Sequence, residues 1–426
     1  MASSEARAFR TRPTIAVLLL ILATLGLGGR DALIGAVERW GNPVASPSPY
    51  NAGAAAQALH ARLFVADLHA DTLLSIRDPR QATNYGHVDL PRLRGGRVGL
   101  QVFSIVTNMP FCPGYADCGR YPNLVALLAV ARGWPVETWT SDKARALRLA
   151  AKLRALAADP TAGLVFLRER DDLVGLLAEP PATRRIGAVL AAEGAQAVGD
   201  SVAGVDELAD AGVRMLGLAH FFDNAVAGSA HGVSGSGISS FGKQVLQRAH
   251  DRGMIVDLAH ASPRAIDDFL DGADATPFVV SHTGLRGVCD DPRNLDDARA
   301  QRIFQAGGLI GVGAWNRVLC LPKQAPAAEY IGKMVRLILH AVALADREHP
   351  GRGDEYVALG SDFDGWVPVG FDASGWSMLT EGLMHAGPRL GEAEIARIMG
   401  GNVCRLLLRA LPGPGPVPPA KLCAPG

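Results

Sequence analysis

The chain has no Cys-x-x-Cys pair, which argues against a structural zinc ribbon and a thioredoxin-like redox site. Lysines are few and no basic run occurs. The 42 Lys+Arg balance 42 Asp+Glu for a formal charge of +0, so nothing supports binding to nucleic acid or another polyanion. No glycine-rich phosphate loop follows the first apolar strand, where a doubly wound dinucleotide-binding sheet would carry one. The apolar run from Ile15 to Gly29, about 15 residues, falls short of the ~20 that a membrane-spanning helix needs.

What is present begins with that N-terminal run. Arg7, Arg10 and Arg12 precede it, Gly26 and Gly28 offer small residues for a cleavage site, and the Pro-rich stretch Asn42 to Pro49 comes after. The pattern predicts export, with residues 1–30 acting as a removed signal peptide or as a membrane anchor, and a periplasmic or extracellular body. Residues 31–56 read as a Pro/Ala-rich linker, 57–410 as the folded body and 411–426 as a Pro-rich tail. Six cysteines agree with an oxidising compartment, and their spacing leaves every pairing open.

Short apolar runs start at Leu63 and then occupy 98–106, 186–191, 213–218, 254–258, 277–280, 308–313 and 356–360. Helical patterns over 123–158, 203–211, 239–251, 263–271, 294–306 and 327–346 separate most of them. Apolar strands alternating with helices indicate a parallel sheet covered on both faces. Eight of them predict an α/β fold closed into a TIM-type (β/α)8 barrel.

Such a barrel collects its chemistry where strands finish. The first run ends in His69 and Asp71, which share a face because residues two apart in a strand point the same way. The third ends in Glu193, the fourth in His220, the fifth in His260, the sixth in His282 and the eighth in Asp362. With 11 histidines in the chain, four at strand ends are hard to assign to chance. Each alone has an ordinary reading: His220 as a core histidine, Glu193 as a loop carboxylate, His282 as a helix cap. Arg293 would then pair with Asp291 or Asp296, and Asp364 competes with Asp362 for any acid/base role. Together these imidazoles and carboxylates suit zinc or another borderline cation, with Glu193 placed to bridge two ions ~3.5–4 Å apart.

Asp67-Leu68-His69-Ala70-Asp71-Thr72, Ala192-Glu193-Gly194 and Leu218-Ala219-His220-Phe221-Phe222-Asp223-Asn224 are followed by Val256-Asp257-Leu258-Ala259-His260, Ser281-His282-Thr283, Arg293-Asn294 and Gly360-Ser361-Asp362-Phe363-Asp364-Gly365. In this order they resemble the membrane dipeptidase (renal dipeptidase, peptidase M19) family over residues 57–410 or so. The resemblance implies an amidohydrolase-like barrel with two Zn2+ per chain. His69, Asp71 and Glu193 would hold one ion, and Glu193, His260 and His282 the other. It also implies that His220 contacts the oxyanion, that Arg293 takes the substrate carboxylate, and that Asp362 contacts substrate and moves the proton.

The same resemblance implies a Cys289–Cys320 disulfide. Cys112 matches a further family half-cystine whose partner is missing around Phe222, so Cys118 is the expected partner. The pairing of Cys404 and Cys423 stays open. Ala259 stands where many relatives have Ser, and Arg317 where an aromatic often lies, which touches substrate preference more than the metals. The expectation is an exported dinuclear zinc dipeptidase acting on L-Xaa-L/D-Xaa dipeptides. Its alternatives are another hydrolysis at the same metals, of a β-lactam, lactone or amide, and a non-catalytic extracytoplasmic metal-binding protein. The oligomeric state is left open, a homodimer included.

Overall fold

Among the described residues nine parallel strands form one sheet: β1 Val65–Ala70, β2 Val98–Val106, β3 Leu164–Phe166, β4 Ile186–Glu193, β5 Val213–Gly217, β6 Ile255–Asp257, β7 Phe278–Thr283, β8 Leu309–Val312 and β9 Val357–Leu359. The order is β2-β1-β9-β8-β7-β6-β5-β4-β3, and β2 also pairs with β4, from Leu100 opposite Gly187 to Val106 opposite Glu193. That last pairing closes eight strands into a barrel and leaves β3 as an extra strand attached to β4 alone. The computed structural model describes residues 27–112, 115–272, 276–387, 390–418 and 420–423.

The strands are apolar on both faces because both faces are covered. Every residue of β1, β4, β5, β6, β7, β8 and β9 is buried. Leu68, Val102, Val189, Met215, Ile255 and Val279 bring one side chain from each of six strands into one buried cluster. A larger cluster includes residues of the surrounding helices, among them Val245, Ile266 and Leu337. At ~25 cal/mol per Å² of apolar surface removed from water, these clusters are the main source of stability and hold the strand ends at fixed separations.

The eight expected runs are the eight barrel strands, and helices Ser240–Asp251, Pro263–Asp271, Asp297–Gln305 and Ala327–Glu348 lie close to their expected limits. The expected helical region 123–158 is instead three helices: Leu124–Ala131, Glu137–Thr140 and Asp142–Ala158. Gly133 at φ +60° and Pro135 interrupt it, while Asn123 and Ser141 cap the first and last pieces with their side chains.

The stretch expected as a linker also has structure. Leu27–Gly41 is a helix, and its buried Glu38 accepts hydrogen bonds from Ser75 Oγ at 2.7 Å and Ile76 N at 2.8 Å. Asn42 Oδ1 accepts from Trp366 N at 2.9 Å, and Val44 bridges to Val369. The helix and the segment after it are therefore fastened to the barrel. The expected leader lies, up to residue 26, outside the described residues. Among the described residues no helix is long and apolar enough to cross a membrane.

Three disulfides are formed: Cys112–Cys118, Cys289–Cys320 and Cys404–Cys423. The third ties the C-terminal stretch to helix Asn402–Ala410.

Candidate metal centre

At one mouth of the barrel His69 lies in β1, Asp71 follows it, Glu193 ends β4 and His282 lies in β7. His220, His260 and Asp362 each stand three residues beyond the ends of β5, β6 and β9. Two of them occupy the left-handed region, His260 at φ +63° and Asp362 at φ +61°. A non-glycine residue held there costs on the order of 1–3 kcal/mol, and such strain concentrates where side-chain aim matters. Gly194, at φ +101°, turns the chain away directly after Glu193.

Glu193 is the point of convergence. Its Oε1 lies 3.2 Å from His260 Nε2, 3.4 Å from His69 Nε2, 3.5 Å from His220 Nε2 and 3.7 Å from His282 Nε2. Asp71 Oδ1 is 3.3 Å from His69 Nε2, and His260 Nε2 is 2.9 Å from His282 Nε2. Three sets of candidate ligand atoms lie within 4.8 Å of one another: His69, Asp71 and Glu193; Glu193, His260 and His282; and His69, His282 and Asp362. All these residues are buried, so the geometry is imposed by packing and not by side chains meeting in solvent.

Hydrogen bonds behind the rings settle which nitrogen faces inward. Ser281 Oγ donates to Asp257 Oδ2 at 2.6 Å and therefore accepts from His282 Nδ1–H at 2.8 Å, which leaves His282 Nε2 with a lone pair toward the centre. His231 Nδ1–H donates to the Tyr115 carbonyl at 2.8 Å, so its Nε2 accepts from His260 Nδ1–H at 3.0 Å. Here too the inward Nε2 is a lone pair. His220 Nδ1–H donates to the Asn108 carbonyl at 2.9 Å. Supports of this kind orient metal-ligating histidines and raise their basicity.

Charge argues the same way. Burial and the neighbouring Asp71 hold Glu193 well above the usual carboxylate range, and burial pushes Asp362 up to about 8. Burial lowers His220 to about 3 and, with Arg293 nearby, holds His260 and His282 well below the imidazole range. For His69 burial acts downward, but the Glu193 and Asp71 carboxylates outweigh it and raise it to about 10. Two inward lone pairs only 2.9 Å apart, on His260 and His282, repel unless a positive centre lies between or beside them. Among the described residues, both nitrogens of His69 and Asp71 Oδ1 are buried without a hydrogen-bond partner. A nitrogen and oxygen donor set of this composition fits divalent cations of the zinc type.

The other expected residues divide clearly. Asp364 is bound by Arg77 Nη2 at 2.7 Å, Thr72 Oγ1 at 2.8 Å and His87 N at 2.7 Å, which occupies its carboxylate away from the ligands. Asp362 groups with His69 and His282. Arg293 is buried, donates from Nη2 to the His282 carbonyl at 3.0 Å and reaches His260 Nε2 at 3.2 Å. Only its backbone N–H meets Asp291, at 2.8 Å, so the ordinary ion-pair reading does not hold. Arg317 pairs with Asp291 at 2.9 Å and lies over the Tyr115 ring at 4.3 Å. Beside the centre is a cleft of ≈1320 Å³ that Tyr115, Phe221, Trp315, Arg317 and Trp366 help to line.

Four supporting residues escaped the strand-end rule. His231, Asp257 and Ser281 fix the rings as described. Asp67, fully buried, accepts from Ser361 Oγ at 2.6 Å, Ser361 N at 2.8 Å and Gln101 Nε2 at 3.1 Å, which joins the ends of β1 and β9. Asp67 and Asp257 lie within the expected strands, where a buried polar residue is itself a signal.

Residues 53–410 match the family model described as membrane dipeptidase (peptidase family M19). Among curated proteins the chain is similar to an uncharacterized dipeptidase of Schizosaccharomyces pombe, 29% identical over 288 residues, covering 67% of this chain and 62% of that protein. The chain thus spans less than two thirds of that relative's length. It is also similar to dipeptidase aclJ of Aspergillus oryzae, 27% identical over 333 residues, covering 76% of this chain and 70% of that one. A solved metallo peptidase from Rhodobacter sphaeroides, liganded with a phosphinate mimic of the dipeptide L-Ala-D-Ala, superposes with a TM-score of 0.63 at 22% identity. It covers 82% of this chain and 99% of that one, and at this identity the likeness concerns the fold.

Proposed function

The chain belongs to the membrane dipeptidase family, peptidase family M19, and from that premise we propose that it hydrolyses dipeptides with two zinc ions at the barrel mouth. The observation that carries the reading is the convergence of four imidazole nitrogens on one oxygen of Glu193, with Asp71 alongside. His69, Asp71 and Glu193 would hold one ion, and Glu193, His260 and His282 the other. When bound, such ions supply Lewis acidity and lower the pKa of water to about 7.

The remaining steps belong to side chains. Asp362, drawn upward by burial, suits a group that takes a proton from the attacking water and returns it to the leaving amine. Arg293 is a buried planar fork whose side chain has no carboxylate partner among the described residues' ion pairs, and it would take the substrate's terminal carboxylate. That contact limits substrates to those with a carboxylate one residue beyond the scissile bond. His220 has its Nδ1–H engaged by Asn108, so it donates to an oxyanion from Nε2 only as the imidazolium. Burial opposes that state, bringing His220 down to about 3, and the Asp71 carboxylate offsets only part of it, so the negative charge developing on the oxyanion would have to hold the proton there. Export is part of the reading, supported by the N-terminal sequence pattern and by three disulfides.

The test is amine release from L-Ala-L-Ala and L-Ala-D-Ala by the purified full chain. Hydrolysis that stops with chelator and returns with zinc is expected; the absence of chelator-sensitive hydrolysis of either would overturn the assignment.

A further inference from the structure

Beneath the helix Leu27–Gly41 lies a pocket for which the chemistry above has no use. Its walls are apolar: Leu33, Ile34 and Val37 from that helix, Leu74 after β1, and Leu124 and Leu128 from Leu124–Ala131. Its volume is ≈210 Å³, somewhat larger than a cavity of about 150 Å³ that accepts benzene. It therefore has room for one aromatic or branched aliphatic side chain.

The polar groups around it are already engaged. Glu38 accepts from Ser75 and Ile76, Asn42 bonds the Glu38 carbonyl and Trp366 N, and Asp364 is paired with Arg77. The exception is Asp71, whose Oδ1 lacks a partner and which also belongs to the ligand set. A polar occupant would lose hydration with only Asp71, itself in the ligand set, to replace it, so the pocket favours an apolar one. Asp71 joins it to the metal centre.

On the dipeptidase reading, two residues would set the direction of a bound dipeptide. Arg293 lies against His260 and His282, whereas Asp71 lies against His69. A carboxylate at Arg293 thus directs the amino-side residue toward Asp71. We propose that the pocket receives the side chain on the amino side of the scissile bond, so that the protein selects dipeptides whose first residue is large and apolar. This inference rests on the dipeptidase reading. One wall comes from residues 27–41, which precede the 53–410 matched by the family model, so the selectivity is built from sequence outside that match.

Binding and turnover test it separately. Calorimetry on the zinc-loaded full chain compares two phosphinate dipeptide mimics that differ only in carrying benzyl or hydrogen at the amino-side position. The benzyl mimic is expected to bind at least ~10-fold more tightly. Val37→Trp adds bulk at a rim position that is 40% exposed and should remove most of that difference, as should Leu128→Trp. Equal affinities in the unaltered chain, or a preference that survives both substitutions in folded protein, would overturn the pocket assignment. Hydrolysis of Gly-L-Ala and L-Phe-L-Ala is followed in parallel. Cleavage of both with equal mimic affinities sinks the pocket and leaves the dipeptidase reading standing; a benzyl preference lost in both variants, with neither dipeptide cleaved, does the reverse.

Discussion

His231 accepts the Nδ1–H of His260 at its own Nε2, across 3.0 Å, and is itself fixed by donating to the Tyr115 carbonyl. This chain of bonds, and not the strand, turns His260 Nε2 toward Glu193. Loss of such a support typically costs a ligating histidine ~10–100-fold in metal affinity. His231→Phe should weaken zinc binding by about that factor in competition with a chromophoric chelator. His231→Gln, which restores an acceptor, should recover much of it. Unchanged affinity in the Phe variant would remove His231 from the centre.

How far this could be read beforehand depends on where the information lies. The barrel strands were legible because each is a run of buried apolar residues, but Leu164-Val165-Phe166 pairs on one side only and is too short to stand out. The candidate ligands were legible because a strand end is a position in sequence. His231 follows no apolar run and sits in a Gly- and Ser-rich loop, so only the contact with His260 gives it a role. Asp362 and Asp364 are two residues apart and share a face in an extended chain; what separates them is Arg77, 287 positions before Asp364 in the chain (364 − 77) and 2.7 Å away in space. The helix Leu27–Gly41 depends in the same way on Glu38 meeting Ser75 and Ile76.

Arg293 separates the dipeptidase reading from its chemical alternatives. Its guanidinium is buried beside His260 and His282, and a charge-assisted hydrogen bond contributes ~1.5–3 kcal/mol. Arg293→Ala should lower kcat/KM on L-Ala-L-Ala roughly 10- to 150-fold, mainly through KM. A lactone or β-lactam without a carboxylate should lose far less. A fall confined to kcat would place the arginine with the reacting atoms instead.

His87 supplies a pH dependence of stability independent of the ligands. Its Nδ1 accepts from Asp364 N at 2.9 Å, and burial, with Arg77 adding to it, brings its pKa down to about 4 from an ordinary 6.5. Between those values the unfolded chain holds a proton that the folded chain does not. Stability from this group is therefore complete above pH ~6.5 and falls as the pH drops toward 4, by about 1.4 kcal/mol per pH unit. Urea midpoints at pH 7 and pH 5 should lie closer together in His87→Asn than in the unaltered chain. An equal spacing would show that His87 titrates normally.

The Cys289–Cys320 disulfide closes a segment with a sequence separation of 31 that includes helix Asp297–Gln305 and strand β8 and carries Arg293 and Trp315, with the guanidinium 5.5 Å from the indole centroid. Asn294 ties the loop internally, donating to the carbonyls of Cys289 at 2.8 Å and Val318 at 3.0 Å. Loop-closure entropy gives such a bridge roughly 3–4 kcal/mol. The proposed ligands His69, Glu193 and His282 stand on β1, β4 and β7, none of which lies between the two cysteines. The double replacement of Cys289 and Cys320 by serine should therefore lower the melting temperature and raise KM for a dipeptide while zinc content stays at its original value. If zinc were lost in step with substrate affinity, the bridged segment would be holding the metals as well as the carboxylate, and the division of labour between that segment and the ligand-bearing strands would have to be abandoned.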